Sequence, residues 1–269
     1  MTNSQHYSTG ARACMFAYGM VCYLVFIGTL VHVAAFVGGF GLTNTLDGSV
    51  VDPMAGGVDL RALLIDIGLI GLFTLQHSVM ARPGFKLWFI RHVPQPIERS
   101  TFVLAASLTL NAVCVFWEPI GGDIWMLDTV AGKAVMYLGY LTGWILVLAT
   151  TFSIDHFDLF GVRQVWFAAC QRRYEPPVFK TPWLYSVVRH PLYMGWLFVF
   201  WCTPFMTAAH LFFAVLLTVY VFVGIHFEEA DLAAKHIAYK RYKTKVPMIL
   251  PGKMATVKQW KNPTAKNSG

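Results

Sequence analysis

Long apolar runs alternate with short polar segments along most of this 269-residue chain. Four of these runs have about the 20 residues that an α-helix needs to cross the core of a bilayer. They lie at 16–41, 62–81, 101–117 and 134–153. A fifth run, 191–226, is too long for one crossing and contains Pro204. Because proline breaks a helix, we predict a helical hairpin with a tight turn near 203–210.

This pattern predicts an all-α fold, a polytopic membrane helical bundle of five to six spans whose last two form the hairpin. We expect a single domain. Its parts are a four-span bundle at 1–153, a connecting segment at 154–190, the hairpin at 191–226 and a tail at 227–269 that contributes a C-terminal helix and a cofactor pocket.

The composition agrees with a membrane protein, since 56% of the residues are hydrophobic and only 13% are charged. Soluble domains average about a quarter charged residues. The formal charge of +7 does not indicate a nucleic-acid partner, because the basic residues are concentrated in particular segments. The expected partner is the lipid bilayer. Five cysteines show no CxxC or CxxH spacing, so neither a disulfide framework nor a metal site is indicated.

The distribution of basic residues predicts the orientation. All of them except Arg61 and Lys133 fall before the first run, within 81–100 or 154–190, or after 226. Since basic loops stay in the cytoplasm, these segments are predicted to face the cytoplasm of a bacterial inner membrane. That arrangement requires an even number of crossings, which is six when the hairpin counts twice.

Ionisable residues at membrane depth are costly and usually mark function or pairing. His32 is interpreted as a neutral imidazole bonded to a neighbouring helix, and Asp66 as a structural carboxyl group. His77 lies three helical turns beyond Asp66 and so on the same helix face, near the cytoplasmic end. Its depth makes it a candidate for the acceptor side of a site.

A second candidate follows the fourth span, where Asp155 and His156 are adjacent in "TFSIDHFDLF". A histidine near its ordinary pKa can accept a proton at neutral pH, and a neighbouring carboxylate raises its basicity. We predict His156 as a general base assisted by Asp155. The alternative is that this segment only ends the helix at the membrane interface.

The two ends of the hairpin carry opposite charges. Arg189 and His190 precede a helix that begins at Pro191, and the amides of a helix N-terminus attract anions. At the other end stand Glu228 and Glu229. A hairpin returns both ends to one membrane surface, so the pattern predicts a pocket with a cationic wall and an anionic wall. Its complement is a zwitterion that carries a sugar.

Further residues suit such a ligand. The ring of Tyr193 offers a face to a cation such as a sulfonium, and Gly195 lets a ligand approach the backbone closely.

"RHPLYMG", "EEADL" and "YKRYKTKVPMILP" together resemble the motifs of the isoprenylcysteine carboxyl methyltransferase-like membrane enzymes. "LQHSVMAR" and "HFDLFGVRQVW" are similar to the bacterial methanethiol S-methyltransferase branch of that family. The resemblance implies S-adenosylmethionine as the methyl donor, bound at the cytoplasmic face without a Rossmann domain. It assigns the donor to Arg189, His190, Tyr193, Gly195, Glu228 and Glu229, with Tyr239, Arg241 and Tyr242 closing the site.

The implied reaction is in-line transfer of a methyl group to a small volatile thiol, methanethiol. Other acceptors stay open, namely another thiol, a prenylcysteine carboxylate or a phospholipid amine. A non-enzymatic membrane scaffold or transporter subunit is the remaining alternative. Binding of S-adenosylmethionine distinguishes it from the enzymes.

Overall fold

The computed structural model describes residues 7–40, 46, 60–176, 183–235 and 237–251, and the fold of these residues is almost wholly helical. In chain order the helices are α1 (Thr9–Gly38), α2 (Leu60–Ala81), α3 (Pro83–Phe89), α4 (Glu98–Phe116), α5 (Val130–Ile154), α6 (His156–Leu159), α7 (Val162–Ala169), α8 (Trp183–Val187), α9 (Pro191–Trp201), α10 (Ala208–Lys235) and α11 (Ile237–Lys245). A 3₁₀ turn at Gln95–Ile97 precedes α4. The predicted tail is described only as far as residue 251.

Five of these helices, α1, α2, α4, α5 and α10, are long and apolar enough to cross a membrane. Large apolar side chains such as Leu24, Leu64, Leu75 and Leu138 lie exposed on them, and such a surface is stable in contact with lipid tails. The chain is therefore a multi-pass integral membrane protein, and the predicted all-α bundle is confirmed.

The predicted hairpin is formed by α9 and α10, joined by a turn at residues 202–207 that contains Pro204. Its first arm is short, because 11 residues of α9 span only ~16 Å, about half of a bilayer core. Residues 202–207 connect the end of α9 to the start of α10.

A small β-ribbon, which the apolar pattern did not predict, holds this turn. Strand β1 (Asp123–Met126) pairs antiparallel with β2 (Phe205–Thr207), with Met126 opposite Phe205 and Trp125 opposite Met206. The indole of Trp125 also donates to the carbonyl of Thr203 at 3.1 Å. The loop before α5 is thereby fixed to the turn between α9 and α10.

Helices α5 and α9 meet at a pair of glycines. A Cβ atom on Gly195 would lie 2.9 Å from the carbonyl oxygen of Gly143, and a Cβ on Gly143 would lie 2.8 Å from that of Gly195. Neither backbone leaves room for a side chain at this crossing. Close packing of two helices, and not the approach of a ligand as the sequence suggested, therefore accounts for Gly195.

Contacts at one end of the bundle bring the start of α1, the connecting segment and the C-terminal segment together. Arg12 Nη1 donates to the carbonyl of Ala169 at 3.0 Å, and Arg189 Nη1 donates to that of Val246 at 2.6 Å. We call this the basic end and the opposite one the ribbon end. The start of α1 and the segment after α10 therefore lie at the same end of the bundle, which agrees with the predicted even number of membrane crossings.

The core lies between α1, α4, α9 and α10, where Phe36, Trp117 and Phe213 pack edge to face. Polar residues inside the bundle are bonded across helices. His32 Nδ1 lies 2.7 Å from Oδ1 of Asn111 on α4, as its structural interpretation predicted. Asp66 is fully buried towards the ribbon end and accepts the backbone amide of Glu118 at 2.9 Å, which also indicates a structural role.

Candidate active site

The corner before α9 is fixed by backbone bonds to the C-terminal segment. The amide of Arg189 donates to the carbonyl of Pro247 at 2.8 Å, and that of His190 donates to Met248 at 3.1 Å. Pro191 occupies the first turn of α9, where a missing N–H is not needed. Main-chain hydrogen bonds thus hold together, at the basic end, residues that are 58 positions apart in the sequence.

Glu229 is the centre of a buried ion cluster. Its Oε1 accepts from Arg189 Nε at 2.8 Å and from His190 Nε2 at 3.0 Å, and its Oε2 lies 2.7 Å from Lys243 Nζ. The cationic and anionic ends of the hairpin therefore share one membrane surface, as predicted. They contact each other directly, however, and three of the four predicted wall residues are bonded to one another.

The fourth wall residue, Glu228, is exposed, and its Oε2 accepts the hydroxyl of Tyr193 at 3.1 Å. That hydroxyl lies 3.7 Å from the position of a Cβ on Gly224. Tyr220, Gly224 and Glu228 are spaced four residues apart on α10 and so form one stripe along the helix. The stripe leads from the exposed carboxylate at the basic end to a tyrosine about 12 Å deeper. Exposed His226, two residues before Glu228, lies on another face of α10.

Helix α11 covers the ion cluster. Tyr239 is buried beside the ring of Tyr242, and its hydroxyl has no hydrogen-bond partner among the described residues. Burial and the negative charge of Glu229 raise the pKa of Tyr239 to about 12. Tyr242 donates to the carbonyl of Tyr185 at 2.6 Å, whereas Arg241 is exposed. Tyr239 therefore places a neutral hydroxyl group near the cluster.

His77 lies at the deep end of the stripe. Its Nδ1 is 3.0 Å from the hydroxyl of Tyr220, which also lies 3.1 Å from Ser78 Oγ. The imidazole packs against the rings of Phe73 and Phe102. Its Nε2 makes no hydrogen bond to any described residue, so one nitrogen of this partly buried ring can exchange a proton with a ligand.

His156 is bonded at both ring nitrogens. Nε2 is 2.9 Å from the hydroxyl of Tyr23 and Nδ1 is 2.9 Å from Thr151 Oγ1, while Phe152 stacks on the ring at 4.2 Å. Burial lowers the pKa of His156 from its ordinary value of 6.5, and the charge of Asp155 opposes this shift. The imidazole thus stays neutral and joins α1 to the end of α5, which does not favour the base role predicted from the sequence.

Asp155, predicted to assist His156, directs its carboxylate to other partners. One of its carboxylate oxygens accepts the backbone amide of Asp158 and caps α6, and the other bonds Arg163. Adjacent residues at a helix boundary diverge, because the backbone leaves the helical conformation at Asp155. Its carboxylate is therefore engaged in ending one helix and beginning the next.

The structure also shows residues that sequence reasoning missed. Lys243 completes the cluster around Glu229. From the sequence alone, a lysine in a basic tail is expected to be exposed to solvent and unpaired. Tyr220 holds His77, and Gly224 lies beneath Tyr193. The four-residue spacing that joins Tyr220 and Gly224 to Glu228 is present in the sequence and was the available signal.

Comparisons with known proteins bear on this geometry. No family model matches the chain, and no solved structure matches it. It is 47% identical to the methanethiol S-methyltransferase of Crocosphaera subtropica over 90% of this chain and 93% of that protein. The corresponding Mycobacterium tuberculosis protein is 41% identical over 87% and 94%. The chain belongs to the methanethiol S-methyltransferase family.

A more distant likeness is to Nurim of Xenopus laevis, at 28% identity over 81% of each chain. Membership of the methanethiol S-methyltransferase family makes the chain a methyltransferase and confirms the resemblance found in its motifs. A methyltransferase needs a methyl donor and an acceptor, and the stripe on α10 offers different chemistry at its two ends.

Proposed function

We propose that this protein transfers a methyl group from S-adenosylmethionine to methanethiol and so forms dimethyl sulfide. The observation that carries the proposal is the match, over about nine-tenths of the chain, to proteins named methanethiol S-methyltransferase. The stripe on α10 is consistent with it, because Glu228 and His77 give one end an anionic group and the other end a proton acceptor.

The residues at the exposed end fit a sulfonium donor. Among the described residues the carboxylate of Glu228 accepts one hydrogen bond, from Tyr193, so it can accept further bonds from the hydroxyl or amino groups of S-adenosylmethionine. The ring of Tyr193 can face the positive sulfur, and the unpartnered hydroxyl of Tyr239 can bond a polar group of the donor. In this proposal Arg189, His190 and Glu229 position these three side chains through the ion cluster. Arg241 stays a sequence prediction.

The residues at the deep end fit a thiol. In our proposal His77 accepts the thiol proton at Nε2, which requires Nδ1 to carry its own proton and donate it to Tyr220. Tyr220 therefore fixes the tautomer, as the partner of the second nitrogen does in many catalytic histidines. The apolar rings of Phe73 and Phe102 exclude water from the acceptor and suit its methyl group.

When bound, S-adenosylmethionine supplies a methyl group made electrophilic by its positively charged sulfur. His77 removes the S–H proton, because the thiolate and not the neutral thiol is the effective nucleophile. Tyr193 and Gly224 lie between the two ends of the stripe, where the methyl group of a bound donor would have to meet the thiol. The proton then leaves from the imidazole to solvent at the basic end, which we assign to the cytoplasm.

Methanethiol is apolar enough to arrive through the bilayer. A groove of about 300 Å³ runs between α2 and α10 and is lined by Ile67, Gly71, Thr74, Val219, Val223 and Tyr220, among others. Val219 and Val223 are exposed on the lipid-facing surface, whereas Tyr220 bonds His77. The groove thus connects lipid to the proposed acceptor site, and we propose it as the entry route.

A headspace assay tests the function. Detergent-purified protein is supplied with S-adenosylmethionine and one acceptor at a time, which is methanethiol, hydrogen sulfide, a prenylcysteine or a phospholipid amine. Dimethyl sulfide formed from methanethiol at a higher kcat/KM than any other product supports the proposal. Methylation of a lipid acceptor alone would assign the enzyme a different substrate.

Calorimetry with S-adenosylmethionine separates the enzymatic function from a scaffold. Binding to wild-type protein but not to Glu228→Gln protein is the expected result. A wild-type protein that binds no donor would favour the scaffold or transporter alternative.

A further inference from the structure

Arg99 is an arginine near the basic end whose guanidinium has no counter-ion among the described residues. It occupies the first turn of α4 and is partly buried. Its Nε donates to the carbonyl of Leu159 at 2.8 Å, and its guanidinium lies 5.2 Å from the centre of the Phe102 ring. Neither contact neutralises the charge.

Three other arginines at this end are paired with carboxylates. Arg82 lies 3.5 Å from Asp231, Arg163 contacts Asp155, and Arg189 lies 2.8 Å from Glu229. The acidic groups nearest to Arg99 act on it only at longer range. These are Glu98, its neighbour in α4, and Asp158, whose carboxylate accepts the hydroxyl of Tyr174 at 2.7 Å. Ionisable side chains at membrane depth pair with other groups or line the path of a substrate or ion, and the partly buried guanidinium of Arg99 has no anion beside it among the described residues.

The position of Arg99 also identifies which site this is. Phe102, three residues further along α4, packs against the imidazole of His77 at 5.1 Å. The same ring therefore contacts both the guanidinium and the proposed base. A cation and a proton acceptor converge on the deep end of the stripe, where the proposed function requires a thiol to lose a proton.

We infer that the Arg99 guanidinium binds the sulfur of methanethiol as the thiolate and holds it for methyl transfer. This inference rests on the proposed function and adds a residue to its acceptor site. The S–H proton passes to Nε2 of His77, and the electron pair left on sulfur faces the guanidinium. That pair then forms the new bond to the methyl carbon while the bond from that carbon to the donor sulfur breaks.

Arg99 gives the site a preference for substrate over product. A guanidinium stabilises an anion through charge-assisted hydrogen bonds but has no comparable attraction for a neutral thioether. Methyl transfer cancels the negative charge on the thiolate and so ends its attraction to Arg99. Dimethyl sulfide is therefore expected to leave the site readily.

Difference spectroscopy tests the inference without turnover. Methanethiol is titrated at neutral pH into detergent-purified protein that lacks the donor, and the ultraviolet band of the thiolate reports the ionised form. Wild-type protein should show this band well below the pH at which the thiol ionises in solution. We expect Arg99→Gln to weaken thiolate binding roughly 10- to 100-fold, the range of a hydrogen bond to a charged group.

Arg82 offers a matched control, because its guanidinium also faces an aromatic ring, that of Phe227 at 4.7 Å, but is paired with Asp231. Arg82→Gln should bind thiolate as wild type does. Arg99→Lys keeps the charge, so it should retain the band with weaker binding. An Arg99→Gln protein that binds thiolate with unchanged affinity would overturn the inference, and so would a wild-type protein that binds methanethiol only as the neutral thiol.

The pH profile separates this role from a structural one. If Arg99 stabilises the thiolate, the activity of Arg99→Gln should approach that of wild type as rising pH forms thiolate in solution. A loss caused by the broken bond to Leu159 would leave the ratio constant with pH, and that result counts against the inference. Absence of dimethyl sulfide with the wild-type protein would instead refute the proposed function.

Discussion

Arg189 and Glu229, 40 residues apart, are joined by a hydrogen bond of 2.8 Å between Nε and Oε1. The two side chains are only 9% and 7% exposed, so water screens the interaction weakly. The bond connects the beginning of α9 to the end of α10 and closes the hairpin at the basic end. Glu229 is thus a structural anion, whereas the neighbouring Glu228 is exposed and is the carboxylate that we propose binds the donor.

The adjacent glutamates should therefore respond differently to the same change. Glu229→Gln leaves the buried guanidinium of Arg189 without its anion, and breaking a buried pair in this way costs about 3–5 kcal/mol. We expect a marked fall in the thermal unfolding temperature and faster proteolysis after α10. Glu228→Gln should keep the wild-type unfolding temperature and lose affinity for S-adenosylmethionine in calorimetry. Equal unfolding temperatures for the two variants would contradict the division of roles.

Substitution of His77 should slow chemistry without removing the donor. His77→Gln keeps a polar side chain beside Tyr220 but provides no basic nitrogen, so kcat should fall about 10²- to 10⁴-fold, the usual contribution of a general base. Calorimetry should give a wild-type affinity for S-adenosylmethionine. The matched control is Tyr220→Phe, which retains the imidazole and removes the group that fixes its tautomer. A smaller loss for Tyr220→Phe than for His77→Gln is expected, and the reverse order would reject His77 as the base.

The groove between α2 and α10 predicts a specific effect on the acceptor. A side chain at Gly71 meets no atom within 4 Å and would occupy the groove, so Gly71→Leu should raise KM for methanethiol several-fold. KM for S-adenosylmethionine should not change. Gly68 also has open space around it but does not line the groove, so Gly68→Leu is the control. A similar rise in both variants would mean that the thiol enters elsewhere.

His156 should make the protein sensitive to acid. Burial lowers the pKa of its imidazole below 6.5, so an unfolded chain binds a proton there before the folded chain does. As pH falls below 6.5, protonation of the unfolded state therefore draws the protein towards unfolding. His156→Asn removes this titration, and its unfolding temperature should fall less than that of wild type between neutral pH and about pH 5.

The same variant checks the catalytic hypothesis for this histidine. Because both ring nitrogens are bonded to Tyr23 and Thr151, His156→Asn should methylate at neutral pH at a rate close to that of wild type. A large loss of kcat with an intact fold would restore His156 as the base.

The spans could be predicted because each needs a long apolar run, and Pro204 marked the turn of the hairpin. Strands β1 and β2 pair although they are about 80 residues apart in the sequence. Each has only three or four residues, which is too short for the alternation of apolar and polar residues that identifies a strand. That pairing depends on where the long helices place the two loops. The hydrophobic pattern of either loop alone contains no such information.

The site was predicted in part. A hairpin places Arg189 and Glu229 at the same end of the bundle, and this could be predicted. Their direct hydrogen bond could not, because it depends on how α9 and α10 are rotated about their axes. Asp155 and His156 were expected to cooperate because they are adjacent, yet the end of α5 turns them towards different partners. Gly195 was interpreted as leaving room for a ligand, and the sequence does not show that Gly143 of α5 packs against it.

The backbone bonds from Arg189 and His190 to Pro247 and Met248 have a consequence for biosynthesis. The ribosome makes residues 246–248 after every membrane helix, so all crossings can be inserted before the corner ahead of α9 acquires its partners. A nascent chain halted at the end of α10 would be embedded in the bilayer and still lack the backbone bonds that fix the proposed donor site. Maturation of this enzyme thus ends in the aqueous phase, with the docking of a short peptide segment.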